Sequence, residues 1–308
     1  MKPTLKTELC GIRLENPTIL ASGILGVTKS SLKRVAEAGG AGAVTMKSVT
    51  REPRKGHNNP ILISYEAGCL NAVGYSNPGW EIAKEEFSRL DDVPVPVIGS
   101  VTAGSPEEFA FLVEHFAEPL GFPAIELPLS CPHTPGFGTL AGQGTPEATE
   151  AITRAVREKT KKPIIIKVSP NSQELGKLAK AAEDAGANAI CATNTLGPGM
   201  VINPEAGKPI LDFKVGGISG PALRPIAVRC VYDIYENVSI PLIGTGGVST
   251  GRDAIEMFMA GASAVGIGTA VHYRGIDVFR KVCAEILEFM EENGYAKVKD
   301  MVGIAHER

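Results

Sequence analysis

The sequence lacks any regular pairing of its cysteines. The six cysteines are scattered along the chain, and no two of them form a Cys-x-x-Cys pair: Cys10, Cys69, Cys131, Cys191, Cys230 and Cys283. Disulfide frameworks and structural zinc sites both depend on such regular spacing. We therefore expect reduced thiols, as in a cytoplasmic protein, and no metal site.

A long apolar run and an excess of charge of one sign are also missing. No stretch is long and apolar enough to span a bilayer, and the first residues lack the apolar segment of a signal peptide. The formal net charge is -3 over 308 residues, so electrostatics give no reason to expect nucleic acid or an anionic membrane as partner. With 44% hydrophobic and 21% charged residues, the composition predicts a soluble globular protein.

Eight short apolar runs, rich in β-branched residues, alternate with segments of helical spacing. The runs cover residues 17–21, 41–47, 95–101, 124–129, 163–168, 187–193, 240–245 and 262–268. The helical segments cover residues 31–38, 81–90, 106–116, 146–159, 172–185, 222–235, 252–260 and 277–293. Runs that are apolar throughout are typical of parallel strands covered by helices.

Eight strand–helix units in a chain of this length predict a TIM (β/α)8 barrel, which is an α/β fold. A doubly wound sheet seldom needs eight units, and no linker rich in proline and serine separates two domains. Three of the helical segments close on an Ala-Gly submotif, at residues 38–44, 185–190 and 260–265, which predicts helices that end in a left-handed glycine. We therefore expect one domain over residues 1–308.

Polar residues follow most of the eight runs, at the end of the barrel where the chemistry of this fold is located. They include two lysines, a cysteine, and several hydroxyls and amides: Ser22, Lys47, Ser48, Ser100, Cys131, Lys167, Asn171, Thr193, Asn194, Thr195 and Thr269. The alternation of strands and helices brings all of them to one mouth of the barrel. The sequence therefore predicts a polar active site there.

Two glycine-rich segments follow the last two runs, at residues 244–249 and 266–269. TIM barrels commonly bind phosphate at this place, through backbone N–H groups that glycine leaves accessible. Either segment alone is equally well explained as a tight turn. Their occurrence together after the seventh and eighth runs favours a phosphate site.

Lys47 and Lys167 each end an apolar run, and a buried lysine is costly unless it is paired. Three interpretations stay open. Each lysine could form a structural pair with a carboxylate, form a Schiff base, or neutralise an electron-rich ring or a substrate carboxylate. The spacing alone does not separate them.

Cys131 lies where the run at 124–129 gives way to a segment rich in glycine and proline, residues 132–144. Such a segment is typical of a loop that covers a site. Cys131 could therefore be a nucleophile or a general base, whereas the other five cysteines are expected to be buried and inert. The segment from Asn71 to Asn77 could make turns or present amides to a polar heterocycle.

Nine segments resemble, in the same order, those of the class 1 dihydroorotate dehydrogenases, and the match covers nearly the whole chain. The segments begin at Asn16, Met46, Leu70, Ser130, Ile166, Thr193, Gly216, Gly244 and Gly268. The dihydroorotate-dehydrogenase-like domain of dihydropyrimidine dehydrogenases carries a similar set, including Ser-Cys-Pro-His. The resemblance implies an FMN-dependent oxidoreductase that converts (S)-dihydroorotate to orotate in pyrimidine biosynthesis.

The resemblance also implies a role for each site residue. The FMN phosphate would lie on Gly220, Gly246, Gly247, Gly268 and Thr269. The flavin ring and ribityl chain would contact Ser22, Lys47, Ser48, Ser100, Lys167 and Thr193. The substrate would be held by Lys47, Asn71, Ala72, Val73, Gly74, Tyr75, Asn194 and Thr195. Cys131 would be the general base, while a hydride passes from the neighbouring substrate carbon to the flavin.

Two positions depart from the family pattern. Pro128 replaces an asparagine whose amide contacts both substrate and flavin, and Ser100 replaces another common asparagine. A proline interrupts the strand here and removes one strand hydrogen bond. The alternatives are therefore an oxidoreductase of the same family that acts on another cyclic amide or enoate, a phosphate-binding Schiff-base lyase, and a catalytically silent flavoprotein.

The electron acceptor and the assembly are left open. NAD would need a partner, namely a flavin/iron–sulfur electron-transfer subunit, because this chain has no iron–sulfur cysteine pattern. Fumarate is the other acceptor considered. A homodimer is a further candidate assembly.

Overall fold

In a computed structural model, residues 2–129 and 143–306 are described. The strands, in chain order, are β1 (Thr7–Leu9), β2 (Ile12–Leu14), β3 (Thr18–Leu20), β4 (Ala43–Thr45), β5 (Leu62–Tyr65), β6 (Gly68–Asn71), β7 (Val97–Ser100), β8 (Ile125–Pro128), β9 (Ile164–Val168), β10 (Ala189–Ala192), β11 (Leu196–Gly199), β12 (Ile202–Asn203), β13 (Lys208–Pro209), β14 (Gly216–Ser219), β15 (Leu242–Thr245) and β16 (Ala262–Ile267). The helices are α1 (Lys29–Arg34), α2 (Trp80–Glu86), α3 (Pro106–Leu112), α4 (Pro146–Arg157), α5 (Leu175–Asp184), α6 (Arg224–Tyr235), α7 (Gly251–Met259), α8 (Ala270–Arg274) and α9 (Val278–Asn293).

Eight of these strands close into a parallel barrel, in the order β3, β4, β7, β8, β9, β10, β15, β16 and back to β3. Each of the eight predicted apolar runs contains one of them, so the predicted TIM barrel is confirmed. Six of the runs extend one or two residues past the end of their strand, namely those that contain β3, β4, β7, β8, β10 and β16. At those points the strand residues give way to loops that line the barrel mouth.

The helices begin and end at the local signals in the sequence. The Ser105 hydroxyl accepts a hydrogen bond from the Glu108 amide ahead of α3, and Thr250 and Asp253 form a reciprocal capping box at the start of α7. The predicted left-handed glycines are also present, with φ of 77° at Gly40, 102° at Gly186 and 122° at Gly261. These caps satisfy backbone groups that helix ends leave unpaired.

Two helices depart from the predicted geometry. After α1 and α3 the chain continues in π-helical turns, Val35–Gly39 and Val113–Ala117. The short helix α8 was not predicted. None of the helices formed by the described residues is long and apolar enough to cross a membrane.

The barrel interior is apolar at its N-terminal end. Leu9 and Leu14 of the β1–β2 hairpin pack there against inward-facing residues of the barrel strands: Ile19, Ala43, Ile98, Ala124, Ile165, Ala189, Cys191, Ile243 and Ala264. Side chains two residues apart on a strand face the same side. The next inward positions are therefore polar, among them Ser100, Glu126 and Lys167, and this change in polarity places the site above the apolar layer.

A four-stranded antiparallel sheet forms one wall of the barrel mouth. Its strand order is β11, β14, β6, β5, and it has its own small core of Leu70, Ala72 and Leu211. None of the predicted runs covers residues 51–70, where β5 and the start of β6 lie. These strands are short, and β6 pairs with β14 far along the chain.

Candidate active site

A cavity of about 440 Å³ opens at the C-terminal ends of the barrel strands. It is lined by most of the residues predicted for cofactor or substrate: Ser22, Lys47, Ser48, Asn71, Val73, Gly74, Tyr75, Lys167, Thr193, Asn194, Thr195, Gly220, Gly246, Gly247, Gly268 and Thr269. Ser100 and Ala72 lie outside this lining and are fully buried. Cys131, the predicted general base, lies outside the described residues. The fold thus brings together residues as far apart in sequence as Ser22 and Thr269.

A buried ion pair lies at the floor of the cavity. Lys167 Nζ is 3.9 Å from Glu126 Oε1, and the two side chains are only 6% and 5% exposed. The Ser22 hydroxyl joins them, since it donates to Glu126 Oε1 at 2.5 Å and accepts from Lys167 Nζ at 3.1 Å. Of the three interpretations left open for the lysines, the geometry of Lys167 fits pairing with a carboxylate.

The charge state of Lys167 follows from this pair. Burial alone would lower the pKa of the ammonium group, but the attraction of Glu126, with a smaller effect of Cys191, outweighs it and the pKa of Lys167 is raised. Lys167 is therefore protonated at neutral pH. An amine must be neutral to attack a carbonyl, so this environment disfavours Schiff-base chemistry at Lys167.

Two further hydroxyls extend the polar floor. Ser48 Oγ and Ser100 Oγ are 2.8 Å apart, and Ser100 Oγ is 3.5 Å from Glu126 Oε1. A carboxylate only accepts hydrogen bonds, so Ser100 is the donor to Glu126 and must accept from Ser48. Ser100 therefore contacts the floor residues Ser48 and Glu126 without lining the cavity. The prediction had placed it beside the flavin ring.

Glu126 is the main residue that our sequence reasoning missed. Ala124 belongs to the inward-facing apolar layer, and the side chain two residues later faces the same interior. A carboxylate at an inward position of a barrel strand requires a partner. This alternation, together with the adjacent predicted strand that ends in Lys167, could have identified the pair.

The rim on the opposite side of the cavity is built from glycines. Gly220, Gly246 and Gly247 have φ of 83°, 138° and 76°, which residues with side chains rarely adopt. A Cβ on Gly246 would lie 2.6 Å from Ala227 Cβ, and one on Gly247 would lie 2.7 Å from Arg224 Cβ. The backbone here is therefore exposed to the cavity without side chains, as an anion-binding segment requires.

Hydroxyl groups complete this rim. Thr269 Oγ1 donates to Ser219 Oγ at 2.9 Å, and both residues line the cavity together with Ser249. Ser219 and Ser249 were not among the predicted site residues, although each directly precedes or closes a glycine-rich segment. They add hydrogen-bonding groups to the predicted phosphate site.

The wall formed by the antiparallel sheet carries amides and one aromatic ring. Asn71 Nδ2 donates to Gly217 O at 3.3 Å, which fixes its side chain against β14. Lys47 Nζ lies 5.7 Å from the centre of the Tyr75 ring. Tyr75 has a φ of 55°, an uncommon conformation for a non-glycine residue that is often found at functional sites. The wall, together with Lys47 after β4, thus offers a cation and fixed polar groups to a bound ring.

Pro128 lines the cavity at the end of β8. As predicted, the strand is interrupted at this proline, because β8 ends at Pro128, which still pairs with Lys167 of β9. The amides of Ile125 and Leu129 bond towards β9, so the nitrogen of Pro128 faces β7 instead. The last bond to β7 is donated by Val101 N to Glu126 O, and Pro128 has no N–H to donate the next one, so the pairing with β7 ends here.

The described cysteines are free. Burial raises the pKa of Cys10 and Cys191 to about 12. It raises the pKa of Cys230 and Cys283 to about 11. These four thiols stay protonated at neutral pH, which agrees with their expected inert role. Cys69 differs in position, since it lines the cavity beside Tyr273, whose hydroxyl is 3.2 Å from its sulfur.

No group of three or more metal-binding side chains is present in residues 2–129 and 143–306. The cavity instead combines cations, fixed amides and a side-chain-free backbone rim. Such a site can hold a phosphorylated organic cofactor together with a small polar ring.

Comparison with known protein families identifies the family of this chain. The family described as "Dihydroorotate dehydrogenase" matches residues 4–290. The fold is a closed parallel barrel with a polar cavity at the mouth of its strands. The chain belongs to the dihydroorotate dehydrogenase family.

Curated relatives are similar over nearly their whole length. A protein of Pyrococcus furiosus is 47% identical over 302 residues, which cover 98% of this chain and 99% of that protein. A protein of Methanothermobacter thermautotrophicus is 46% identical over 307 residues, with 98% and 99% covered. Both are named "Dihydroorotate dehydrogenase B (NAD(+)), catalytic subunit".

A solved structure supports the fold. The dihydroorotate dehydrogenase of Eimeria tenella, solved in complex with ferulenol, superposes with a TM-score of 0.85 at 22% sequence identity. The match covers 99% of this chain and 89% of that chain. At this level of identity the similarity concerns the barrel and not its ligands.

Proposed function

We propose that this chain oxidises (S)-dihydroorotate to orotate in pyrimidine biosynthesis, with FMN as its cofactor. The observation that carries the proposal is the meeting of Lys47, Lys167 and the glycine rim at one cavity, in a chain that belongs to this family. The names of the relatives support the same reaction.

The residues present fit FMN. The rim at Gly246 and Gly247 has no room for side chains, so its backbone can approach a phosphate closely. Gly220, Gly268 and Thr269 would complete the phosphate site. Lys167, Ser22 and Thr193 would lie along the ring and ribityl chain, with Ser48 beside them. FMN supplies the hydride acceptor that amino-acid side chains lack.

The remaining residues would bind the substrate and move its proton. Lys47 would attract the carboxylate of dihydroorotate, and Asn71 and Asn194 would match the N–H and C=O groups of its ring. Cys131 would take the proton from the carbon beside a ring carbonyl as the hydride leaves the neighbouring carbon. Both steps need the substrate held still, which the walls carrying Asn71 and Asn194 provide.

A partner would complete the electron path. The relatives are named as catalytic subunits of NAD-dependent enzymes, and we propose a separate flavin/iron–sulfur subunit that passes electrons to NAD. The purified chain alone should therefore reduce its flavin but form no NADH. A homodimer and a cytoplasmic location remain our predictions, and light scattering on the purified chain would test the first.

One experiment tests the proposed reaction. The purified protein is mixed with dihydroorotate without oxygen, and the flavin absorbance near its visible maximum is followed. Bleaching with formation of one orotate per flavin is expected. A yellow protein that stays oxidised with dihydroorotate would refute the substrate, and a colourless protein that binds no added FMN would refute the cofactor.

Pro128 favours a second candidate, the same oxidation on another cyclic amide or enoate. Proline presents an apolar ring to the cavity where the family pattern implies an amide, and it can donate no hydrogen bond there. A substrate without a polar group next to Pro128 would lose no hydrogen bond to this position. Screening dihydrouracil and cyclic enoates in the same bleaching assay distinguishes the two candidates.

A further inference from the structure

Three side chains at the cavity floor converge on one carboxylate oxygen. Glu126 Oε1 accepts from Ser22 at 2.5 Å, lies 3.5 Å from Ser100 Oγ, and is 3.9 Å from Lys167 Nζ. Glu126 itself does not line the cavity, whereas Ser22 and Lys167 do. The carboxylate therefore acts on the cavity through its neighbours.

The directions of these hydrogen bonds decide what the floor presents. Ser22 gives its single proton to Glu126, so its oxygen offers only lone pairs to other groups. The same holds for Ser48, whose proton goes to Ser100. The Lys167 ammonium group has three N–H donors, and its hydrogen bond to Ser22 uses one of them.

We infer that Glu126 is a positioning residue of the active site, which keeps Lys167 charged and turns the hydroxyl protons of Ser22 and Ser48 away from the cavity. Lys167 is then the side-chain donor that the floor presents to the cofactor ring. The inference rests on the proposed flavin site.

The charged groups around Lys167 support this role. Glu126 on β8 and Cys191 on β10 are the titratable groups that act on it most strongly, and the Cys191 thiol, with a pKa of about 12, is neutral in the working range. The Ser22 hydroxyl contacts Lys167 directly, and Thr245 and Lys47 line the same cavity. Glu126 is therefore the charge that offsets the burial of Lys167.

The substitution Glu126→Gln removes that charge and keeps an oxygen that can accept from Ser22. A fully buried lysine without its partner loses its proton more easily, and its pKa should fall by about two units or more. The midpoint potential of the bound flavin, measured between pH 6 and 10, should then show a new ionisation. The double variant with Lys167→Met should not show it.

A matched control is available elsewhere in the chain. Glu118 also pairs with a lysine and a hydroxyl, Lys162 at 3.5 Å and Thr160, but it does not line the cavity. The plot of flavin midpoint potential against pH for Glu118→Gln should coincide with that of the unchanged protein. Glu126→Asp keeps the charge, so its plot should show no new ionisation. A Glu126→Gln curve without a new ionisation, whether coincident or shifted in parallel, would overturn the inference.

A second measurement needs no variant at position 126. In the flavin-loaded protein labelled with ¹⁵N-lysine, the Lys167 resonance, assigned by its loss in Lys167→Met, should not titrate below its ordinary value of 10.5. Titration near neutral pH would overturn the inference even if Glu126→Gln fails to fold. Failure to bind FMN at all would instead refute the proposed function, so the two failures are distinguishable.

Discussion

Pro128 and Lys167 are paired neighbours on adjacent barrel strands, and both line the cavity. An apolar ring that cannot donate a hydrogen bond thus lies beside a buried ammonium group. Within residues 2–129 and 143–306, the polar contacts on this side of the floor come from Lys167 and its hydroxyl neighbours. This arrangement motivates the first prediction.

Pro128→Asn should raise kcat/KM for dihydroorotate by about tenfold, the effect of one added hydrogen bond of ~1.4 kcal/mol. The barrel should tolerate the change because the backbone N–H of an asparagine can extend the ladder between β8 and β7. Steady-state kinetics would check it, with Pro209→Asn on β13, outside the cavity, as control. A lower kcat/KM for dihydroorotate together with an unchanged melting temperature would show that the natural substrate is a different ring.

Gly247→Ala should abolish FMN binding. Its Cβ would lie 2.7 Å from Arg224 Cβ and 2.8 Å from Gly220 O, so the rim must shift. Gly294→Ala is a matched control, because Gly294 has φ of 77° against 76° at Gly247 but nothing within 4 Å of an added Cβ. Flavin content per chain is read from the absorbance, and full occupancy in Gly247→Ala would place the phosphate elsewhere.

Cys131→Ser should slow flavin reduction by dihydroorotate greatly while FMN remains bound. A serine hydroxyl ionises far less readily than a thiol, whose reference pKa is about 8.5, and the thiolate is the competent base. The rate in the unchanged protein should accordingly rise from neutral towards alkaline pH. Stopped-flow absorbance would measure both effects.

The control for Cys131→Ser is Cys10→Ser. Cys10 is protonated at neutral pH, and its contact with Asn188 O at 3.1 Å can be kept by a hydroxyl. It should reduce its flavin at the unchanged rate. Equal rates in Cys131→Ser and Cys10→Ser across the pH range would mean that the base lies elsewhere in the cavity.

Borohydride with a carbonyl substrate should trap no adduct on Lys47 or Lys167. Lys167 is held as an ammonium ion by Glu126, and the raised pKa extends this state above the ordinary range of lysine. Mass spectrometry of the digested protein would locate any adduct. A covalent product on either lysine would favour the Schiff-base lyase that the sequence alone could not exclude.

The sequence by itself determined the barrel and the composition of its mouth. Each barrel strand is a local apolar run, and the residue that ends such a run must lie at the mouth, which is why Lys167 and Gly247 were placed correctly. Helix ends at Gly40 and Gly186 were equally local, because a left-handed glycine terminates a helix without help from distant residues.

Only the tertiary structure decided which groups meet. Ser22 follows β3, whereas Glu126 and Lys167 lie on β8 and β9, and their contact depends on the closure and register of the barrel. The sheet that walls the cavity was missed because its strands are short and β6 pairs with β14, far along the chain. The effect of Pro128 was also settled this way, because whether a missing N–H costs a hydrogen bond depends on the neighbouring strand it faces.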